Sequence, residues 1–128
     1  MKLLLDTHAF LWWISDDPKL SDKARAIMGN GENALFLSTA SGWEMAIKAG
    51  LGKLKFPGDI RAFVSEQLMI NDISPLPVQM NHSLHVYNLP PFHNDPFDRL
   101  IVAQAQLEDF PVLTADSQIA QYRVKAIW

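Results

Sequence analysis

The chain has 128 residues, of which 48% are hydrophobic, and it carries a formal net charge of −3. That length suits one domain over residues 1–128, and a chain of this size buries roughly two-thirds of the surface its unfolded form exposes. With no cysteine it can form no disulfide, thiol nucleophile or cysteine-bound zinc site, and its acidic balance argues against a broad DNA-coating surface.

The first element is KLLLD (2–6), a short apolar run ended by a charge, as in a strand buried on both faces. Three leucines are too few for a signal sequence or a membrane span, so a soluble cytoplasmic protein is expected. THAFLWWIS follows, apolar at nearly every position, and DDP marks a turn. Lys19 to Met28 is amphipathic, with Leu20, Ala24, Ile27 and Met28 on one face, and Gly29-Asn30-Gly31 ends it. ALFLS (34–38) reads as the second strand. STASGWEMAIKAG then turns helical, with Trp43, Ile47 and Leu51 on a shared stripe ahead of the breakers Gly50 and Gly52.

Pro57 opens a further helix with apolar positions at Ile60, Phe63, Val64 and Leu68, and ISPLP (73–77) is a third, shorter strand. Residues 75–96 hold five of the eight prolines, Pro75, Pro77, Pro90, Pro91 and Pro96, leaving room for a short helix around 79–88. A helix from Pro96 to about Leu107 leads into the strand FPVLTAD (110–116). Ser117 to Gln121 makes one helical turn and RVKAIW a last strand. Alternating strands and helices favour an α/β fold with a parallel sheet covered on both faces.

In such sheets ligands bind beyond the carboxyl ends of the strands. Asp6 ends the first strand and Asp116 lies just past PVLT, while Glu44 and Asp98 lie in helices whose starts could face the same edge. Each has a local explanation too. Asp6 could be a turn residue, and Ser41-Gly-Trp-Glu44 fits a capping box. Glu44 could pair with Lys48 one turn on. Asp95 and Pro96 make a good helix start and leave Asp98 less well explained; Asp116 could cap the turn behind it.

If the acids converge, their charges need protons or a cation, since two charges 4 Å apart repel by about 4 kcal/mol at an effective dielectric near 20. Oxygen-only ligands suit Mg²⁺ or Mn²⁺ rather than zinc, and the chemistry that commonly needs them is phosphodiester hydrolysis. Lys48, Lys53 and Lys55 form an acid-free patch within 45–58 that suits phosphate, or simply a solvated face. Arg99 and His93 could hold a phosphate or pair with Asp95 or Asp116. His82 and His85 could ligate a metal, though one amphipathic face accounts for them better. No GxGxxG, GxxxxGK[ST] or GxSxG motif is present.

LLLDTHAFLWW, STASGWEMAIKAGLGKL, HNDPFDRLIVAQA and VLTAD, taken together, resemble the PIN-domain family, most closely its VapC-type toxin branch. The resemblance covers essentially the whole chain and implies a three-layer α/β/α sandwich with a mostly parallel central sheet. It matches the family's metal-binding acids to Asp6, Glu44, Asp98 and Asp116, with Thr7 and Thr114 in support, while Asp95 supports the site as the helix start and is not itself matched. Asp6 and Asp98 are expected to make the tightest metal contacts. It further implies Mg²⁺- or Mn²⁺-dependent endoribonuclease activity on an RNA substrate, a homodimer, and a small cognate antitoxin. Two alternatives stand beside it: a non-catalytic RNA- or protein-binding module, and a deoxyribonuclease or 5′-nuclease on the same site.

Overall fold

Three consecutive leucines follow Lys2 in strand β1 (Lys2–Leu5), and all of them are fully buried. Side chains alternate along a strand, so an unbroken apolar run needs a core on each face. The computed structural model, which describes residues 1–128, supplies both. Leu3 and Leu5 pack with Phe10, Met28 and Met45, whereas Leu4 packs with Ile101, Val102 and Ile119.

Around β1 lies a sheet in which every pair of neighbours is parallel. Strand β2 (Ala34–Ser38) flanks β1 on one side and β4 (Val112–Leu113) on the other. β3 (Ile73–Leu76) and β5 (Ala126–Ile127) lie outermost, giving the order β3-β2-β1-β4-β5. The chain grows outward from β1 through β2 to β3, then crosses back to β4. The switch point therefore falls between β1 and β4, at the carboxyl ends of both.

Helices α1 (Thr7–Ile14), α2 (Asp22–Gly29), α3 (Thr39–Gly50) and α4 (Ile60–Ile70) supply the core around Leu3 and Leu5. On the other face α6 (Pro96–Glu108) and α7 (Ser117–Ala120) cover Leu4 and Val112. The fold is thus a three-layer α/β/α sandwich. A short helix α5 (Met80–His85) and one 3₁₀ turn (Val86–Asn88) sit beside α6. No helix is long and apolar enough to cross a membrane.

Several expected elements shift for local reasons. α4 starts at Ile60 and not at Pro57, because Gly58 takes a φ of +77° and Asp59 caps the helix instead. The helix expected at 79–88 breaks after His85, and Leu89, ahead of Pro90, is extended. β4 and β5 are only two residues each, and Pro111 has no N–H to lengthen the ladder. The stripe of Trp43, Ile47 and Leu51 faces outward, with Trp43 61% exposed. The buried face of α3 is instead Ala40, Ser41, Glu44 and Met45.

Candidate active site

Strands end and helices begin at the same edge of the sheet, so helix caps accumulate there. Asp6 caps α1, its Oδ1 accepting the Ala9 N–H at 2.6 Å. Ser38 caps α3, Asp95 caps α6 with Pro96 at its first position, and Asp116 caps α7. These oxygens satisfy N–H groups that a helix start leaves without partners. A carboxylate has two oxygens, and the second is free for other work.

For Asp6 that second oxygen, Oδ2, accepts a short hydrogen bond from the Thr114 hydroxyl. The same hydroxyl accepts the Asp116 N–H at 3.0 Å, so Thr114 ties the end of β1 to the end of β4. Asp6 and Thr114 are buried, and Thr7 and Glu44 with them.

Glu44 enters from α3, where it does not close a capping box. The helix begins at Thr39 with Ser38 as cap, which places Ser41 inside it and removes the expected reach of Glu44 to the Ser41 amide. Glu44 Oε1 instead accepts from the Thr7 hydroxyl at 2.8 Å, and Oε2 from Lys48 at 2.9 Å. Ser41 Oγ lies 2.8 Å from the Thr7 hydroxyl as well. Each hydroxyl has one proton and the carboxylate can only accept, so Ser41 donates to Thr7 and Thr7 to Glu44.

Asp98 lies in the first turn of α6 and is held least: His93 Nε2 stands 3.5 Å from its Oδ2. Burial, then the charges of Asp95, Asp116, Glu44 and Asp6, push its pKa up to about 7. Asp6 is also raised, chiefly by burial, against the lowering effect of the Thr114 and Ala9 hydrogen bonds. The four acids Asp6, Glu44, Asp98 and Asp116 thus share one electrostatic neighbourhood. No three of them are drawn to ligand spacing. The donor set of carboxylates and hydroxyls nevertheless fits a hard divalent cation such as Mg²⁺ or Mn²⁺, whose charge would relieve the repulsion that raises Asp98.

The basic residues divide. Lys48 is bound to Glu44, while Lys53 and Lys55 are exposed. Lys48 and Lys55 line a cleft of about 460 Å³ with Thr7, His8, Trp12 and Phe56. Thr7 and Lys48 belong to both that cleft and the acid cluster. Arg99 pairs with neither Asp95 nor Asp116. It donates through its two Nη atoms to the carbonyls of Pro90, Val86 and Leu89 and to the Tyr122 hydroxyl, so it clasps the proline-rich loop onto α6. His82 and His85 bond Glu108 and Gln106 near the far end of α6, away from the acids. Sequence reasoning missed Ser41 as a donor and Tyr122 altogether. The apolar density of THAFLWW and the lysines of 45–58 were the available signals for the cleft.

Comparison with known proteins bears on this arrangement. The family model described as the PIN domain matches residues 3–125. Ribonuclease VapC16 of Mycobacterium tuberculosis is 38% identical over 64 residues, a match covering 50% of this chain and 45% of that protein. The chain therefore spans less than half the length of that relative. Among solved structures, VapBC2 from Rickettsia felis, bound to a DNA fragment from its promoter, superposes with a TM-score of 0.73 at 15% identity, covering 99% of this chain and 98% of that one. A toxin–antitoxin complex from Klebsiella pneumoniae superposes with a TM-score of 0.61 at 14% identity, covering 98% and 96%. At these identities the structures speak for the fold alone.

Proposed function

Because the chain belongs to the PIN-domain family, we propose that it is a Mg²⁺- or Mn²⁺-dependent endoribonuclease, the toxin of a toxin–antitoxin pair. The observation that carries this reading is the hydrogen-bond network at the carboxyl edge of the sheet, in which Thr114 joins Asp6 to the Asp116 backbone and Thr7 holds Glu44, with Asp98 in the first turn of α6. The name of the relative Ribonuclease VapC16 supports the activity, and the toxin–antitoxin complex among the similar structures supports a small cognate antitoxin as partner. The reading further comprises a single nuclease domain over 1–128, a homodimer and a cytoplasmic location.

Asp6 and Asp98 are the proposed principal metal ligands, with Glu44 and Asp116 completing the site. When bound, the metal supplies an activated water at neutral pH and offsets the charge that develops on the phosphate. The chain's own residues do the rest. Thr114 holds the Asp6 carboxylate in one orientation and couples it to the Asp116 backbone. Thr7 fixes Glu44, which would help to orient a water at the site, and Lys48 offsets part of its charge. Lys53 and Lys55 are the proposed phosphate contacts beside the cleft; Arg99 ranks behind them because both its Nη atoms already donate to carbonyls and the Tyr122 hydroxyl.

The test is cleavage of single-stranded RNA and matched DNA by the purified chain, with and without a chelator. Metal-dependent RNA cleavage that falls by at least ~100-fold in Asp6→Asn, with folding retained, is the expected result. Equal cleavage of DNA would move the assignment to a general nuclease. Binding of RNA without turnover would make the chain a binding module.

A further inference from the structure

His93 is nine-tenths buried, and its Nε2 is a buried polar atom with no hydrogen-bond partner. Such atoms are rare and call for a reason. The other ring nitrogen, Nδ1, lies 2.7 Å from the Tyr122 hydroxyl. Arg99 Nη1 lies 3.0 Å from the same hydroxyl, and a guanidinium can only donate. The tyrosine oxygen therefore accepts from Arg99, and its own proton, which has no other acceptor within hydrogen-bond reach, goes to His93 Nδ1. With Nδ1 accepting, a neutral imidazole carries its proton on Nε2. The Nε2 atom that carries it stands 3.5 Å from Asp98 Oδ2, a few tenths of an ångström beyond an N–H···O hydrogen bond.

We propose that His93 is a positioning residue for Asp98: its Nε2–H, set by the Arg99–Tyr122 donor chain, orients the carboxylate for the cation. Asp98 is the acid with the fewest constraints, whereas Asp6 and Glu44 each have both oxygens bonded. A donor behind a metal-binding carboxylate fixes which lone pairs it presents, and loss of such a partner commonly weakens metal binding 10- to 100-fold, by about that range. The inference rests on the nuclease reading only in taking Asp98 as a metal ligand; the tautomer and the contact stand on geometry.

Histidine-selective ¹⁵N NMR of the metal-free chain, at mildly alkaline pH, reads the tautomer directly. The expected result is a ring proton on His93 Nε2, shifting toward Nδ1 in Tyr122→Phe; a wild-type ring protonated on Nδ1 alone overturns the proposal. Mn²⁺ affinity by electron paramagnetic resonance then compares two amide substitutions. Glutamine in His93→Gln carries its N–H₂ to about the place of Nε2, whereas asparagine in His93→Asn reaches only that of Nδ1. His93→Asn is expected to bind Mn²⁺ at least ~10-fold more weakly and His93→Gln within about threefold of wild type; equal affinity in all three overturns the proposal. Where His93→Asn fails to fold, the tautomer and its response to Tyr122→Phe still decide. A chain that cleaves no RNA while both patterns hold supports the positioning of Asp98 and removes the nuclease reading.

Discussion

The Thr114 hydroxyl donates to Asp6 Oδ2 across the junction between β4 and β1, joining residues 108 positions apart. Both are buried, and the same hydroxyl accepts the Asp116 backbone N–H. One small side chain therefore sets the geometry of two acids at the switch point of the sheet.

Thr114→Val keeps the shape and removes the hydroxyl. It leaves Asp6 Oδ2 and the Asp116 N–H without their partner, which costs about 1–3 kcal/mol in urea unfolding. Because the Thr114 bond lowers the Asp6 pKa, its loss raises that pKa further and weakens Mn²⁺ binding. Thr114→Ser restores both readouts; a serine variant no better than valine would mean that packing matters and the hydroxyl does not.

Asp98 makes the metal-free protein less stable as pH rises. Its folded pKa, about 7, lies above the ordinary 3.8, so between those values the folded state binds more protons than the unfolded one. The stabilisation is complete below pH 3.8 and is lost as pH climbs through about 7. Its size is on the order of 2 kcal/mol once solvent screening is counted. Thermal unfolding in chelator should show the decline in wild type and a flatter profile in Asp98→Asn. A divalent cation should reverse the trend, since its binding releases the proton and tightens with pH up to about 7.

Lys53 and Lys55 are exposed, and their replacement by serine should leave stability within about 0.5 kcal/mol. RNA binding should weaken with KM rising and kcat held. The salt dependence of binding should lose about 0.7 of slope for each phosphate contact removed. An unchanged slope would exclude these lysines from the RNA path.

Arg99→Ala releases the carbonyls of Pro90, Val86 and Leu89 and the Tyr122 hydroxyl together. Charge-assisted hydrogen bonds at a half-buried site predict a loss of about 2–3 kcal/mol by chemical denaturation. Arg99→Lys should recover little, because an ammonium cannot span donors that a planar fork reaches. A lysine variant as stable as wild type would show that charge alone suffices.

The amino-acid sequence by itself determined the alternation of strands and helices, and with it a sheet buried on both faces. Local chemistry was enough to place Asp95 and Pro96 as the start of α6, because a cap acts within one turn. The rest depended on which surfaces meet. Periodicity puts Trp43, Ile47 and Leu51 on one stripe but carries no information about which stripe faces the sheet; the structure turns that one to solvent and buries Glu44. The spacing of Ser41 and Glu44 fits a capping box, yet the helix starts earlier and Glu44 is claimed by Thr7, from another helix. Arg99 had acids close in sequence but found carbonyls instead. These bonds span chain separations of 9 to 37 residues, and only packing decides them, because a buried donor takes the acceptor that the fold delivers and not the one nearest in the chain.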